Sequence, residues 1–184
     1  MSSILDIDLD YFNLVSDPIG ALTELLAWSH RPVDVVADNH ADAMRHWAKL
    51  VDAGSTPVPR YILHVDEHHD MMDQKNTINI ANVMYHAMLR WPRCRVYWMA
   101  EDSIETPGMW LDPDVWGRLR RRFRMGRQRP KKWPTPHFLS VTISVDFVRP
   151  DLRDALMEEI MYRQKKWSNN EVHRIPHPRR VRKW

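Results

Sequence analysis

The chain has 184 residues, 43% of them hydrophobic and 28% charged, with a formal net charge of +3. This is the length of one domain with a sizeable core and the composition of an ordinary soluble globular protein. No run of eighteen apolar residues occurs, which predicts no membrane-spanning helix, and the opening Ser2-Ser-Ile-Leu-Asp6 lacks the basic and apolar regions of a signal peptide. The single Cys94 excludes an internal disulfide and a zinc–thiolate site, and points to a reducing cytoplasm.

The small net charge hides an asymmetry. Residues 1–116 hold 8 Lys/Arg against 18 Asp/Glu, whereas residues 117–184 hold 19 against 6. The acidic part carries every metal-like motif described below, as a cation site requires.

Residues 4–10 alternate apolar and acidic side chains, the period of a strand. Asp17-Pro18 predicts a cap and first turn, opening a helix over 19–28. Residues 33–36 predict a second strand, and 41–53 a helix that Gly54 ends. A third strand covers 61–65, followed by a helix over 78–90 that Pro92 terminates. Residues 95–100 predict the fourth strand and 112–124 the fourth helix. Residues 138–147 predict the fifth strand, and Pro150 opens a fifth helix reaching about residue 166. Five strand–helix units in series predict an α/β fold: a single three-layer domain, mainly parallel sheet with helices on both faces. That domain is expected over residues 1–167, followed by a basic, extended C-terminal tail over 168–184.

Polar residues recur where the strands end. Asp8 and Asp10 end the first, His40 follows the second, and Asp66, His68 and Asp70 follow the third. Glu101 and Asp102 follow the fourth, and Asp146 lies near the end of the fifth. Parallel strands bring their C-terminal ends to one edge, where open α/β sheets bind ligands. Asp66-x-His68-x-Asp70 directly after an apolar strand offers hard oxygens and imidazole nitrogens suited to a divalent metal. A solvated polar loop is the alternative, but carboxylates so close repel one another without a cation. Asp6, Asp8 and Asp10 share a strand face by the same period-2 logic. Asp8 and Asp10 are the candidate ligands there, and Asp6 a supporting acceptor.

These residues resemble a known group. Asp66-x-His68-x-Asp70 looks like the first metal signature of the arginase/deacetylase superfamily, and Asp8-Leu-Asp10 is similar to its paired-aspartate signature. Asp38-Asn39-His40, with Trp47 following, resembles the stretch that supplies an upstream histidine. The likeness is nearest to small arginase-like proteins whose N-terminus reads Leu-Asp-Ile-Asp-Leu-Asp and then aromatics, as residues 5–12 do. That branch includes peptide arginases, which convert arginine to ornithine in ribosomally made precursor peptides. Here the paired-aspartate strand comes first in the chain, as in a circular permutation, and the chain is shorter than ordinary arginases.

The resemblance implies two Mn²⁺ ions. One would be held by His40, Asp66, Asp70 and Asp8, the other by His68, Asp66, Asp8 and Asp10, with Asp66 and Asp8 bridging. Superfamily deacetylases, which bind one zinc, lack part of this set. The implied reaction is attack of a bridging hydroxide on the guanidinium carbon, giving ornithine and urea, with Asp70 also orienting the hydroxide as a catalytic residue. The guanidinium needs a carboxylate. Asp146 is the first candidate for binding substrate, with Asp102 and Glu101 in reserve, and the alternative for Asp146 is a cap ahead of Pro150. His69 and His86 are both open as proton shuttles, and neither is assigned.

Gly117–Trp133 contains nine Lys/Arg and no acid. Such a segment could contact nucleic-acid phosphates, but in a peptide-modifying enzyme it would hold an acidic leader of the precursor peptide. The leading expectation is a cytoplasmic, Mn²⁺-dependent peptide arginase, with an oligomer open. A metal-dependent deacylase on the same scaffold is the alternative, and a non-catalytic nucleic-acid or partner-binding module stands third.

Overall fold

A computed structural model describes residues 2–102 and 105–174, with side chains up to Ser168. Its centre is a six-stranded, all-parallel sheet: β1 (Ser3–Asp8), β2 (Val35–Ala37), β3 (Tyr61–Val65), β4 (Arg95–Met99), β5 (Phe123–Gly126) and β6 (Phe138–Thr142). The strand order is β2-β6-β1-β3-β4-β5. Four helices lie between strands, α1 (Pro18–Ser29), α2 (His40–Asp52), α3 (Val83–Arg90) and α4 (Pro113–Leu119), and α5 (Pro150–Arg174) follows β6.

Alternation along the strands sorts the core into two faces. Leu5, Ile7, Leu63, Val65, Leu139 and Val141 pack with Leu22 and Leu26 of α1 and Leu152 and Leu156 of α5. On the opposite face Ile4, Ile62, Val96 and Phe138 pack with Met44 and Trp47 of α2 and Met84 and Met88 of α3. Fully burying a side chain of this size contributes about 1.5–3 kcal/mol, so the sheet is held from both sides. This is the three-layer α/β arrangement that the strand–helix alternation predicts.

The α2/α3 face changes character along the strands. Its N-terminal half is the apolar set just named, but two residues further on stand Asp6, His64 and Ser140, and then Asp8, Asp66 and Thr142, all buried. Asp6 is in register with His64 on one side and with Ser140 on the other. The chain leaves β1 toward β2 on one side, then crosses back to β3 on the other. The carboxyl ends of β1 and β3 therefore flank a topological switch point, the place where such sheets form ligand sites.

Several boundaries differ from the expected ones. β1 stops at Asp8, and Leu9–Asn13 form a 3₁₀ turn in which the Asp8 side chain accepts from the Asp10 amide. Asp10 thus belongs to the turn and not to the strand. β6 ends at Thr142, which leaves Asp146 in a turn where the Phe147 amide donates to the Ser144 carbonyl. α3 begins at Val83 instead of 78, because Asn79 and Asn82 spend their side chains on loop contacts with Asp73. The expected fourth helix splits into α4 and a strand not expected from the sequence, β5. α5 continues to Arg174, past the domain boundary expected at 167, and the rest of the expected tail lies outside the described residues.

Candidate metal centre

Each group of the site is delivered by a strand end or helix start. Asp8 ends β1, and Asp66 and Asp70 follow β3. His40 is the first residue of α2, capped by Asn39, whose side chain accepts from the Asp42 amide. That helix start turns its positive dipole end toward the carboxylates. Asp70 is held with φ +50°, a left-handed conformation uncommon for a side chain with a Cβ. Its carbonyl accepts from the Met84 and Tyr85 amides, so the first turn of α3 fixes this backbone. Ser144 has φ +47° and donates its hydroxyl to Asp8 Oδ2.

The carboxylates are pinned through one oxygen and present the other. Asp66 Oδ1 accepts from the His68 amide at 2.6 Å, and Asp8 Oδ1 from the Asp10 amide at 3.0 Å. The Oδ2 atoms converge on imidazole nitrogen. His40 Nδ1 lies 3.3 Å from Asp8, 3.1 Å from Asp66 and 3.0 Å from Asp70. His68 Nδ1 lies 3.2 Å from Asp10 Oδ2. A single ring nitrogen facing three carboxylate oxygens cannot satisfy them with one proton. Asp70 Oδ2 indeed has no aligned hydrogen-bond partner among the described residues, although it is buried.

Among the described residues, four sets of three donors lie close enough to share an ion: Asp8–His40–Asp66, Asp10–Asp66–His68, His64–Asp66–Asp70 and Asp6–His40–His64. The first three have Asp66 in common. These buried groups could hold a divalent metal ion, and oxygen and imidazole donors without thiolate suit a hard or borderline cation.

Electrostatics fit that use. Burial raises Asp8 well above the usual carboxylate range, and the Asp66 and Asp10 charges add to the rise. Asp10 is raised by burial and Asp66. Asp70 is pushed up to about 6, again by burial and then by Asp66. Burial would raise Asp66 too, but the surrounding His64, His40 and His68 hold it below the carboxylate range. Burial opposes charge on His40, yet Asp6, Asp8 and Asp70 lift it well above an ordinary imidazole. His68 is pushed up to about 11 by its contacts with Asp10 and Asp66. Asp8, Asp10 and Asp70 thus resist ionisation while His40 and His68 favour their protonated forms, an imbalance that a bound cation would relieve.

Above this floor is a cavity of about 350 Å³ lined by Asp8, Asp10, His40, Asp66, His68 and Asp70, with Met72, Ile80, Val145 and Phe147 as apolar walls. Asp146 stands at its exposed rim. All six sequence-derived ligand candidates are therefore brought together, with Asp146 at the mouth. Glu101 and Asp102 do not line this cavity. Asp102 is exposed, pairs with Arg127 at 3.3 Å, and faces a separate depression beside His68. In the strand order β3 stands between β4 and the switch point. Neither open shuttle candidate lines the cavity: His69 is buried against Trp98, and His86 bonds to the Lys75 carbonyl.

Sequence reasoning missed His64. It is fully buried, its Nδ1 is 2.9 Å from Asp6 Oδ2, and its Nε2 is 3.2 Å from Asp66 Oδ2. The available signal was a histidine inside an otherwise apolar strand, two residues ahead of Asp66 and hence on the same face. Asp6 also accepts from Ser140 Oγ at 2.9 Å.

No protein-family model, no curated protein and no solved structure matches the chain.

Proposed function

We propose that the chain is a binuclear metal-dependent hydrolase of the arginase type, which converts arginine residues of a peptide to ornithine and releases urea. The observation that carries this reading is the pair of donor triads, Asp8–His40–Asp66 and Asp10–Asp66–His68, joined through Asp66 on the floor of one open cavity. An oxygen-rich set without thiolate favours Mn²⁺, and two such ions supply a water acidified enough to act as nucleophile near neutral pH. The chain's own groups do the rest. Asp70, whose Oδ2 has no aligned hydrogen-bond partner among the described residues, would accept a hydrogen bond from such a water and orient it. Met72, Ile80 and Phe147 enclose the aliphatic stem of an arginine, and Asp146 at the rim pairs with its guanidinium through two parallel hydrogen bonds.

A second groove supports an acidic leader as the partner segment. Its lining includes Tyr11, Trp28, Arg127, Gln128 and Arg129 beside one carboxylate, Glu24, and the Arg129 guanidinium stacks over the Trp28 ring at 4.4 Å. Basic and aromatic groups together suit an acidic peptide, by steering and by contact. A deacylase of lysine amides is the second reading, favoured by the apolar walls of the cavity. The test is urea release from arginine-containing peptides and from free arginine after loading with Mn²⁺ or Zn²⁺. Urea from peptides supports the proposal. A metal-loaded protein that releases none, and instead frees acyl groups from acyl-lysine peptides, overturns it.

A further inference from the structure

We propose that His64 is the positioning residue for Asp66, the carboxylate common to both triads. The inference rests on the metal-site reading above and extends it to a residue that lies outside both triads.

The argument begins with register. Ser140, Asp6 and His64 stand side by side on β6, β1 and β3, on the face that carries the site. A polar side chain buried in a sheet costs about 1–3 kcal/mol unless it is paired, so three at one level must satisfy each other. They do so in one direction. Ser140 Oγ donates to Asp6 Oδ1 at 2.9 Å, and Asp6 Oδ2 meets His64 Nδ1 at 2.9 Å. Both Asp6 oxygens are then engaged, and the imidazole plane is fixed from below. The opposite nitrogen, Nε2, is buried and has no aligned hydrogen-bond partner among the described residues, but it stands 3.2 Å from Asp66 Oδ2. The rest of Asp66 is already tied: Oδ1 to the His68 amide, and the main-chain carbonyl to Trp98 Nε1 at 2.9 Å. Asp66 Oδ2 is left between two imidazoles, His40 Nδ1 at 3.1 Å and His64 Nε2; His40 belongs to a triad, so the group that backs this oxygen from outside both triads is His64. An anchored imidazole behind a ligating carboxylate is the arrangement by which outer groups orient ligands, typically worth 10–100-fold in metal affinity.

A residue that merely fills space, or merely pairs with Asp6, would have no such effect. The two amides separate these roles, because the Asn nitrogen falls near the imidazole Nδ1 and the Gln nitrogen near Nε2. The experiment measures Mn²⁺ affinity of the full chain by competition with a chelating dye, for wild type, His64→Asn and His64→Gln. Folding of each is checked by thermal melting in EDTA. Positioning predicts that His64→Asn binds 10–100-fold more weakly and that His64→Gln recovers most of the loss. Equal affinity in all three proteins, or equal loss in both variants, overturns the inference. Should either variant fail to fold, Ser140→Ala removes the anchor alone, and the expectation is up to about fivefold weaker binding. Unchanged affinity there overturns the inference as well. A folded wild type that binds no Mn²⁺ overturns the metal-site reading itself, an outcome distinct from the others.

Discussion

Asp6 and His64 occupy matched positions on neighbouring parallel strands, and their side chains meet at 2.9 Å in a fully buried layer beneath the candidate metal centre. The ligands are thereby mounted on the sheet itself and not only on the loops that follow it. One consequence is that the metal-free protein stores unfavourable charge at the floor of the cavity, and several outcomes follow from that.

Asp70→Asn should stabilise the metal-free protein while weakening metal binding. Burial and the Asp66 charge raise the Asp70 carboxyl to about 6, above its unfolded value of 3.8. Its ionised form therefore costs stability above pH 3.8, with the full cost reached above pH 6. Asn removes the charge and tolerates the φ of +50°. In EDTA at pH 7.5 the expected gain is on the order of 1–3 kcal/mol, shrinking toward zero at pH 4. Chemical denaturation at the two pH values measures it.

Metal uptake should release protons. His68, pushed up to about 11, and His40, raised well above an ordinary imidazole, both carry protons at neutral pH when no ion is bound. A nitrogen that ligates must give its proton up, so affinity rises with pH between 6 and 8. Calorimetry in buffers of different ionisation enthalpy should report at least one proton released per chain. Binding heats independent of buffer would contradict this.

His69 shows the opposite behaviour and ties the site to acid stability. Burial lowers it to about 4, and its Nδ1 accepts from the Met71 amide, a bond that protonation would break. A depressed imidazole contributes stability above pH 6.5 that is lost as pH falls toward 4. Its replacement by Gln should flatten the decline of the unfolding free energy over that window, by up to about 3 kcal/mol. A decline of unchanged slope would show that other groups control it.

Much of this was legible in the sequence because it depends on local pattern. Strand–helix alternation specifies a parallel sheet, and a parallel sheet gathers its strand ends, so Asp8, Asp66, His68 and Asp70 could be placed together without coordinates. β5 was not legible: Phe123-Arg-Met-Gly126 is an edge strand with only Phe123 buried, and its Arg124 read as the end of a helix. Asp10 was placed on a strand because two residues of alternation look alike in a strand and in the 3₁₀ turn it occupies. His64 was hidden for a different reason. A histidine within an apolar run reads as core until the register sets Asp6 beside it, and register is a property of two strands at once. The same holds for Asp102, whose pairing with Arg127 is a contact between the segments that follow β4 and β5.

The core beneath the site should be sensitive at Trp98. Its ring is fully buried and its Nε1 donates to the Asp66 carbonyl at 2.9 Å. Trp98→Phe leaves that carbonyl unpaired and a void beside Phe123, at an expected cost of about 1–3 kcal/mol. The urea midpoint of the metal-free protein should fall accordingly, and metal affinity should weaken with it.

Asp146 is the substrate-side test. It is exposed at the cavity mouth, so Asp146→Ala should leave both melting temperature and metal content unchanged. Loss of a bidentate partner should lower kcat/KM for arginine peptides by roughly 10–100-fold. Unaltered kinetics would remove Asp146 from the guanidinium site.

The central claim, that the Asp66-centred triads hold divalent ions, is tested most directly by counting Mn²⁺ bound to the wild type and to Asp66→Asn in equilibrium dialysis. Two ions per wild-type chain and none retained by the variant is the predicted result. A folded wild type that retains no ion at millimolar Mn²⁺, or a variant that binds as the wild type does, would contradict it.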